Sequence, residues 1–375
     1  VFVGPSPEAM NMLGDKVAAK EIAQACKVPM IEDSKVSLTD SAVALNEAKR
    51  IGLPVILKAA AGGGGRGMRV IRQEDDLEKS FTEAKREAAN AFGDDTIFIE
   101  KFVDNPKHIE VQILGDEYGN LVHLFERDCS LQRRFQKVIE IAPAPSLQQK
   151  TKDALYDYAL RIAKHVNYSC AGTVEFLVDE KENIFFIEVN PRIQVEHTVT
   201  EQVTGIDIVR AQILIADGLK LSAAAIDIQN QDEIKCNGFS IQCRITTEDP
   251  QNDFKPDYGT IIAYRNAGGY GIRLDEGSSY QGVKVSPFFD SMLVKITASG
   301  RTLQGASARM LRALGEFRIR GVKTNIRFLE NVIRHPVFKE GKITVPFIQK
   351  HPELFKFKTT QDSGTKVLRY LADVM

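Results

Sequence analysis

Two glutamates thirteen residues apart, Glu175 and Glu188, constrain this chain more than any other feature, because each interrupts an apolar stretch. Thr173-Val-Glu-Phe-Leu-Val178 and Ile184-Phe-Phe-Ile-Glu-Val-Asn190 have the composition of strands, and the polar run Asp179-Glu-Lys-Glu-Asn183 between them reads as a tight turn. A hairpin symmetric about Lys181 and Glu182 pairs residues whose numbers sum to 363, which sets Glu175 directly opposite Glu188. Like charges so opposed destabilise a sheet, and two adjacent carboxylates do not both ionise cheaply. A bound cation removes both penalties. Asn190 falls on the same strand face as Glu188 and adds a third oxygen. Hard oxygen donors with no His or Cys among them point to Mg²⁺ or Mn²⁺, ions that commonly sit beside substrate phosphates.

The 375 residues leave room for two or three structural units, and 43% apolar with 26% charged residues is the balance of a globular protein rather than a disordered one. A net charge of −1 supplies no pull toward nucleic acid or an anionic membrane, and neither is expected as a partner. Five cysteines, an odd number without CxxC spacing, suit reduced thiols in a cytosol-like compartment. No apolar run is long enough to span a bilayer, and the start has no signal-peptide pattern. The chain opens without Met in Val1-Phe-Val3, which reads as a strand, and stops inside an amphipathic helical pattern over residues 365–375. Both ends are expected to continue into segments outside this sequence.

Along the chain, residues 1–30 read as strand, turn and helix. Residues 31–103 alternate helix and strand (helices 39–51 and 75–92; strands 54–59, 68–72 and 96–102) and suffice for a small separate unit. Three strands over 107–142, a helix at 147–165, the glutamate hairpin and a helix at 201–217 follow. After a polar connection at 221–236 come short strands and then helices at 303–316, 324–334 and 345–350.

Four stretches carry chemistry. Pro54-Val-Ile-Leu-Lys58 is an apolar strand ending in a cation and followed by Gly62-Gly63-Gly64-Gly65-Arg66-Gly67. Such a loop either closes backbone amides over phosphates, with Lys58 as a point charge, or is a flexible hairpin linker. It is neither a Walker A loop nor a Rossmann fingerprint. Phe98–Val103 suits an adenine ring or is an ordinary strand, and His108 and Glu110 share one face of the next strand, where a structural histidine is the commoner case. Arg133, Arg134 and Lys137 place three cations in five residues between apolar strands, which favours cations aimed into a cleft over a solvated edge. Finally, Asn190-Pro-Arg192-Ile-Gln194-Val-Glu196-His197 follows the glutamate strand directly. Arg192 offers a planar fork for a carboxylate or bicarbonate, and Gln194 and Glu196 fall on the same side of an extended segment. An Arg, an amide and a carboxylate beside a metal can bind a small oxyanion and deprotonate it. Arg273 and Asp290, single charges within apolar strands, read as structural ion-pair partners.

Together these residues resemble the ATP-grasp superfamily and, within it, the biotin carboxylases. The matching stretches are Met12-Leu-Gly-Asp-Lys16, Lys58 with the glycine loop, Glu100-Lys101, Arg127–Arg134, Glu188–His197 and Phe288–Met292. Cys243–Asp249, Pro256–Arg265 and Gly364-Thr-Lys366 look more like the pyruvate carboxylase branch than the acetyl-CoA carboxylase branch. The resemblance implies an α/β (α+β) ATP-grasp fold, a mobile lid over a larger, mainly antiparallel sheet, divided as a remnant Rossmann-like subdomain (1–30), lid (31–103), core (104–235), C-terminal subdomain (236–350) and linker (351–375). It implies ATP with Mg²⁺ or Mn²⁺, and biotin as a substrate on a carrier domain. Lys16, Lys58, Gly63, Gly64 and Gly65 would hold the phosphates. Glu100, Lys101 and Val103 would hold adenine, with Leu177 and Ile187 packing on it and His108 and Gln132 near the ribose. Glu175, Glu188 and Asn190 would bind metal. Arg192, Gln194 and Val195 would bind bicarbonate, with Glu196 as base, Lys137 stabilising the reacting oxyanion and Arg273 the biotin enolate. Expected partners are bicarbonate, a biotin carrier domain, a carboxyltransferase domain and further copies of the chain. The expected location is the cytoplasm, or the mitochondrial matrix in a eukaryote. Phe135 stands where the family has His, and with most of the first subdomain missing the chain is expected to be poorly active. An acyl-CoA carboxylase component, another ATP-grasp carboxylate ligase and a non-catalytic nucleotide-binding module are the alternatives.

Overall fold

The structure, a computed structural model, describes residues 1–34, 38–59, 68–277, 279–357 and 363–374, apart from the side chains of Lys16, Phe92 and residues 363–366. The glycine loop with Gly63, Gly64 and Gly65, and the side chain of Lys16, therefore lie outside the described residues.

The chain starts with two short helices, α1 (Pro7–Gly14) and α2 (Lys16–Ala25), where the sequence predicted one. Asp15 separates them: its extended backbone ends α1 and its carboxylate caps α2 by accepting from the Val17 and Ala18 amides. The predicted strand Val1–Val3 does not form; these residues pair with no described strand and lie exposed.

A three-stranded antiparallel sheet, β1 (Val55–Ala59) flanked by β2 (Arg69–Ile71) and β3 (Ile97–Lys101), packs against α3 (Ser41–Ile51) and α4 (Leu77–Phe92). Leu57 and Ile99, in register, and Leu77 and Phe81 from α4 fill its core. The segment 29–34 links this unit to the rest of the molecule. Its Pro29 carbonyl accepts from the Phe186 amide, and its Glu32 carbonyl accepts from the Lys101 amide.

The second sheet has eight strands, all antiparallel. Its order is Ile272–Glu276, Met292–Gly300, β9 (Phe239–Thr246), β6 (Gln136–Ala142), β5 (Leu121–Arg133), β4 (Lys107–Gly115), β7 (Cys170–Val178) and β8 (Ile184–Asn190). It runs unbroken across position 236, since β6 pairs with β9. One face is apolar: Ile109, Val111, Val174, Phe176, Phe186 and Val189 pack against α5 (Gln149–His165). Truncating a buried ring such as Phe176 to alanine is expected to cost about 3–5 kcal/mol. The other face carries Glu110, Arg127, Glu140, Glu175 and Arg244, and α6 (His197–Thr204) covers part of it. The helix predicted over 201–217 is broken in two. Gly205, at φ 75°, ends α6, and Asp207 caps α7 (Ile208–Ala216).

The hairpin register explains how Glu188 reaches the polar face. Near the turn, Phe176 pairs with Phe186, Leu177 with Phe185 and Val178 with Ile184, sums of 362, so the turn centres on Lys181 rather than between Lys181 and Glu182. Beyond a β-bulge at Ile187 the pairs are Glu175 with Glu188, Val174 with Val189 and Thr173 with Asn190, sums of 363. Ile184 and Phe186 face the apolar core. Strict alternation would send Glu188 there too; the extra residue moves the frame by one and returns Glu188 to the side of Glu175.

Candidate functional site

Lys137 is the centre of the polar face. Its ammonium touches three carboxylates: Glu110 at 2.5 Å, Glu175 at 2.9 Å and Glu196 at 2.7 Å. Burial alone would lower the Lys137 pKa, but these carboxylates outweigh it and hold the lysine charged well above its ordinary range. Arg127, fully buried, bonds to Glu110, Gln112 (2.7 Å), Thr200 (3.0 Å), Thr173 (3.2 Å) and Gln194 (3.1 Å), so every nitrogen of its guanidinium is used. Gln194 thus has both ends fixed, its oxygen by Arg127 and its amide by Glu175 at 2.9 Å.

Glu175 also accepts from His108 Nε2 at 2.6 Å and Asn190 Nδ2 at 3.0 Å. The Gln132 amide donates to His108 Nδ1 at 2.9 Å, which leaves the proton on Nε2 for Glu175. Burial pushes the Glu175 carboxyl up, but His108 and Lys137 overcome it and hold it well below the usual carboxylate range. Glu188, its cross-strand partner, has no hydrogen bond or ion pair to any described residue. The opposed pair is therefore relieved on one side only. Of five carboxylates on this face, four (Glu110, Glu140, Glu175, Glu196) share three cations (Arg127, Lys137, Arg244), and Glu188 touches none among the described residues. That surplus of negative charge and a donor set made only of oxygens fit a hard divalent cation at Glu175, Glu188 and Asn190.

Glu196 is buried between Lys137 and the Arg244 guanidinium, the latter at 3.1 Å. Burial raises its pKa; Lys137, Arg244 and Arg127 more than compensate and bring it to about 2. Arg192 is exposed and reaches only the Ile193 carbonyl (3.1 Å) and Asn190 Oδ1 (3.2 Å), leaving its remaining donors toward solvent. The Val195 carbonyl accepts from Lys295 at 2.9 Å. Arg273 pairs with Glu201 (2.5 Å) and Asp275 (2.9 Å).

On the lid sheet, Glu100 accepts from Lys58 and, at 2.8 Å, from Lys20, which also reaches Asp33 at 2.9 Å. Lys101 turns away, its ammonium on the Gly52 (2.8 Å) and Leu53 (2.9 Å) carbonyls. Val103 is half-buried just past β3, and half-buried Leu177 lies beside His108 in the β4–β7 register.

The cation cluster departs from the sequence expectation. Of the three clustered cations only Lys137 enters the site. Arg134 and Phe135, with φ of 49° and 65°, form the turn between β5 and β6 and project outward. Arg133 and Arg134 both pair with Asp253 at 2.7 Å, and Phe135 is exposed. Reasoning from sequence also missed Glu110, Arg127, Glu140, Arg244, Lys20 and Lys295 as site residues. The one available signal was Glu110 sharing a strand face with His108. The remaining partnerships are set by sheet order.

A second group outside this site, His335, His351 and Glu353, is closed on itself. His335 Nδ1 accepts from the Val337 amide at 3.3 Å, so its Nε2 keeps a proton for Glu353 at 3.3 Å, while His351 Nδ1 meets the same oxygen at 2.8 Å. All five cysteines are free, and no described helix is long and apolar enough to cross a membrane.

Comparison with known proteins gives a consistent picture. Residues 15–224 match the ATP-binding domain of the carbamoyl-phosphate synthase L chain, and residues 242–350 match the biotin carboxylase C-terminal domain. The chain is 51% identical to pyruvate carboxylase of Bacillus subtilis over its whole length, but it spans 32% of that protein, about a third of the curated relatives it matches. Among solved structures, the biotin carboxylase domain of Hydrogenobacter thermophilus 2-oxoglutarate carboxylase, in complex with MgADP, ADP and bicarbonate, is 44% identical with a TM-score of 0.87; the match covers 95% of this chain and 77% of that one. The biotin carboxylase of Campylobacter jejuni is 45% identical (TM-score 0.86, covering 93% and 76%). Rhizobium etli pyruvate carboxylase is 54% identical (TM-score 0.89, covering 100% and 33%).

Proposed function

Because the chain belongs to the biotin carboxylase family of ATP-grasp domains, we propose that it converts ATP, bicarbonate and carrier-bound biotin to ADP, phosphate and carboxybiotin, as the first half-reaction of a pyruvate carboxylase. The observation that carries this reading is Glu196, ionised and buried, on the same Lys137 ammonium as the Glu175 carboxylate of the hairpin pair.

Lys58, with Lys16 and the glycine loop, holds the phosphates, and binding ATP draws Lys58 away from Glu100. Glu175, Glu188 and Asn190 would hold Mg²⁺ or Mn²⁺, which when bound neutralises charge on the phosphates. Arg192, Gln194 and the Val195 backbone hold bicarbonate. Glu196 takes the proton of bicarbonate as its oxygen attacks the γ-phosphorus and the bond to ADP breaks, giving carboxyphosphate. Lys137 faces the oxyanion that forms, and as it does so it releases Glu196 to become the stronger base. Carboxyphosphate then parts into CO₂ and phosphate; phosphate removes the N1′ proton of biotin, Arg273 stabilises the enolate, and N1′ takes the CO₂. The partners of this reading are a biotin carrier domain and a carboxyltransferase domain of the parent protein, in a homo-oligomer of the cytoplasm or, in a eukaryote, the mitochondrial matrix.

Phosphate release from MgATP, measured with bicarbonate and free biotin added separately and together, tests the proposal. Release is expected to need both. ATP cleavage indifferent to biotin would assign the chain to a different carboxylate-activating ligase.

A further inference from the structure

Three neighbouring strands from beyond position 236 each send one cation to the same short segment, Val195–Glu201. From β9, Arg244 bridges Glu196 (3.1 Å) and the fully buried Glu140 (2.6 Å). From strand Met292–Gly300, Lys295 holds the Val195 carbonyl at 2.9 Å and lies 3.2 Å from His197 Nε2. From strand Ile272–Glu276, Arg273 holds Glu201. The register aligns them: Lys295 pairs directly with Arg244 on one side and with Asp275 on the other, and Asp275 anchors Arg273. Lys295 itself has no carboxylate within ion-pair distance among the described residues, and His197 Nδ1 is buried without a hydrogen bond, 3.1 Å from Glu201 but misaligned. The segment so gripped contains Val195 and Glu196 and continues into the helix that covers the polar face.

Resting on the reading above, we propose that Arg244 and Lys295 are positioning residues for bicarbonate activation. Arg244 aims the Glu196 carboxylate, and Lys295 fixes the Val195 backbone on which bicarbonate is received. The C-terminal region thereby completes the bicarbonate half of the site in addition to presenting Arg273. Arg244 suits this task because its planar fork reaches two carboxylates at once, and the second, Glu140, has no other cation among the described residues. A lysine there would offer one nitrogen in place of the two, Nε and Nη2, with which Arg244 holds Glu140.

The test compares the unsubstituted chain with Arg244→Ala, Arg244→Lys and Lys295→Met. Calorimetry reads MgATP affinity; steady-state phosphate release reads kcat and KM for bicarbonate and for MgATP; guanidinium ion at low millimolar concentration is added to Arg244→Ala. The expected result is MgATP affinity within about threefold of the parent in all variants, with kcat/KM for bicarbonate lower by on the order of 10²-fold in Arg244→Ala, as misplacement of a reacting group produces. Added guanidinium restores Arg244→Ala in a saturable way, Arg244→Lys recovers the rate only in part, and Lys295→Met shows its loss in KM for bicarbonate. A proportional loss of MgATP affinity and turnover, no response to guanidinium, or bicarbonate kinetics within twofold of the parent would overturn the proposal while leaving the activity standing. An unsubstituted chain that shows no bicarbonate-dependent release would remove both.

Discussion

The lid sheet and the main sheet each hold a cluster of lysines and carboxylates, and the two are built to opposite specifications. On the lid, Glu100 is shared by Lys20 and Lys58, whose side chains are about 30% exposed. Glu100 itself is buried, so it is the partly exposed lysines that can turn to solvent or to an anionic ligand. On the main sheet, half-buried Lys137 meets three buried carboxylates, more negative charge than its own positive charge can offset. In the function proposed above, a phosphate would displace the Lys58–Glu100 pair, and the main-sheet cluster, with its surplus of carboxylates, would take up a cation. The difference lies in the solvent access of the lysines rather than in residue type, since the carboxylates are buried in both clusters while Lys20 and Lys58 are about 30% exposed and Lys137 13%.

The most severe way to break this contrast is Lys137→Met. Removing the one cation common to three buried carboxylates is expected to cost about 3–5 kcal/mol of stability in denaturant unfolding and to abolish turnover. A change below about 1 kcal/mol would place the cluster with ordinary surface pairs.

Next in size is the acid response. Glu196 and Glu201 both sit at about 2 against an ordinary 4.5. A carboxylate depressed on folding stabilises the protein above its unfolded pKa, and that contribution is lost as pH falls through the folded value. Stability should therefore drop between about pH 4.5 and 2, with up to about 3 kcal/mol of the drop due to Glu196. Glu196→Gln should flatten this stretch of the pH–stability curve, abolish bicarbonate-dependent turnover and leave MgATP binding in place. An unchanged slope in the variant would count against the Lys137–Glu196 pairing.

Glu188→Gln is expected to act in the other direction on binding. It removes the carboxylate without a partner, so folding stability should hold or rise slightly while MgATP affinity falls about tenfold, roughly 1.4 kcal/mol. Titration calorimetry against MgATP and against ATP alone separates the metal contribution; equal losses in both would contradict a metal role. Lys20→Ala should have the smallest effect: about 1 kcal/mol or less on stability, with KM for MgATP changed several-fold because Glu100 then holds Lys58 alone. An unfolding penalty as large as that of Lys137→Met would erase the distinction between the clusters.

Much of this arrangement was legible in the sequence, for local reasons. The hairpin, the pairing of Glu175 with Glu188, the shared face of His108 and Glu110, and the helix at 303–316 all follow from periodicity and composition within a few residues. What escaped was set by distance along the chain or by a single irregular residue. Arg244 meets Glu140 across 104 positions and Glu196 across 48, a meeting that depends on β9 lying beside β6. Arg133 and Arg134 looked like site cations because the composition of their segment is right. The positive φ of Arg134 and Phe135 sends them instead to Asp253, 120 and 119 positions away. Arg273 read as a structural ion-pair partner and does make structural pairs; its neighbourhood gives it a second meaning.

The bulge at Ile187 has a consequence for how such a chain can vary. A strand ordinarily propagates its inside–outside assignment from end to end, so gaining or losing a residue at one end inverts the other. Here the assignment shifts by one at Ile187, between the hairpin tip around Lys181 and the carboxylate pair. The tip itself is tied down, Glu182 accepting from the Thr151 hydroxyl and the Gln148 amide and Glu180 from Asn105. Ile187 acts as the reading-frame adjuster, and deleting it would turn Glu188 toward the oily side of the sheet without altering a single charge in the sequence.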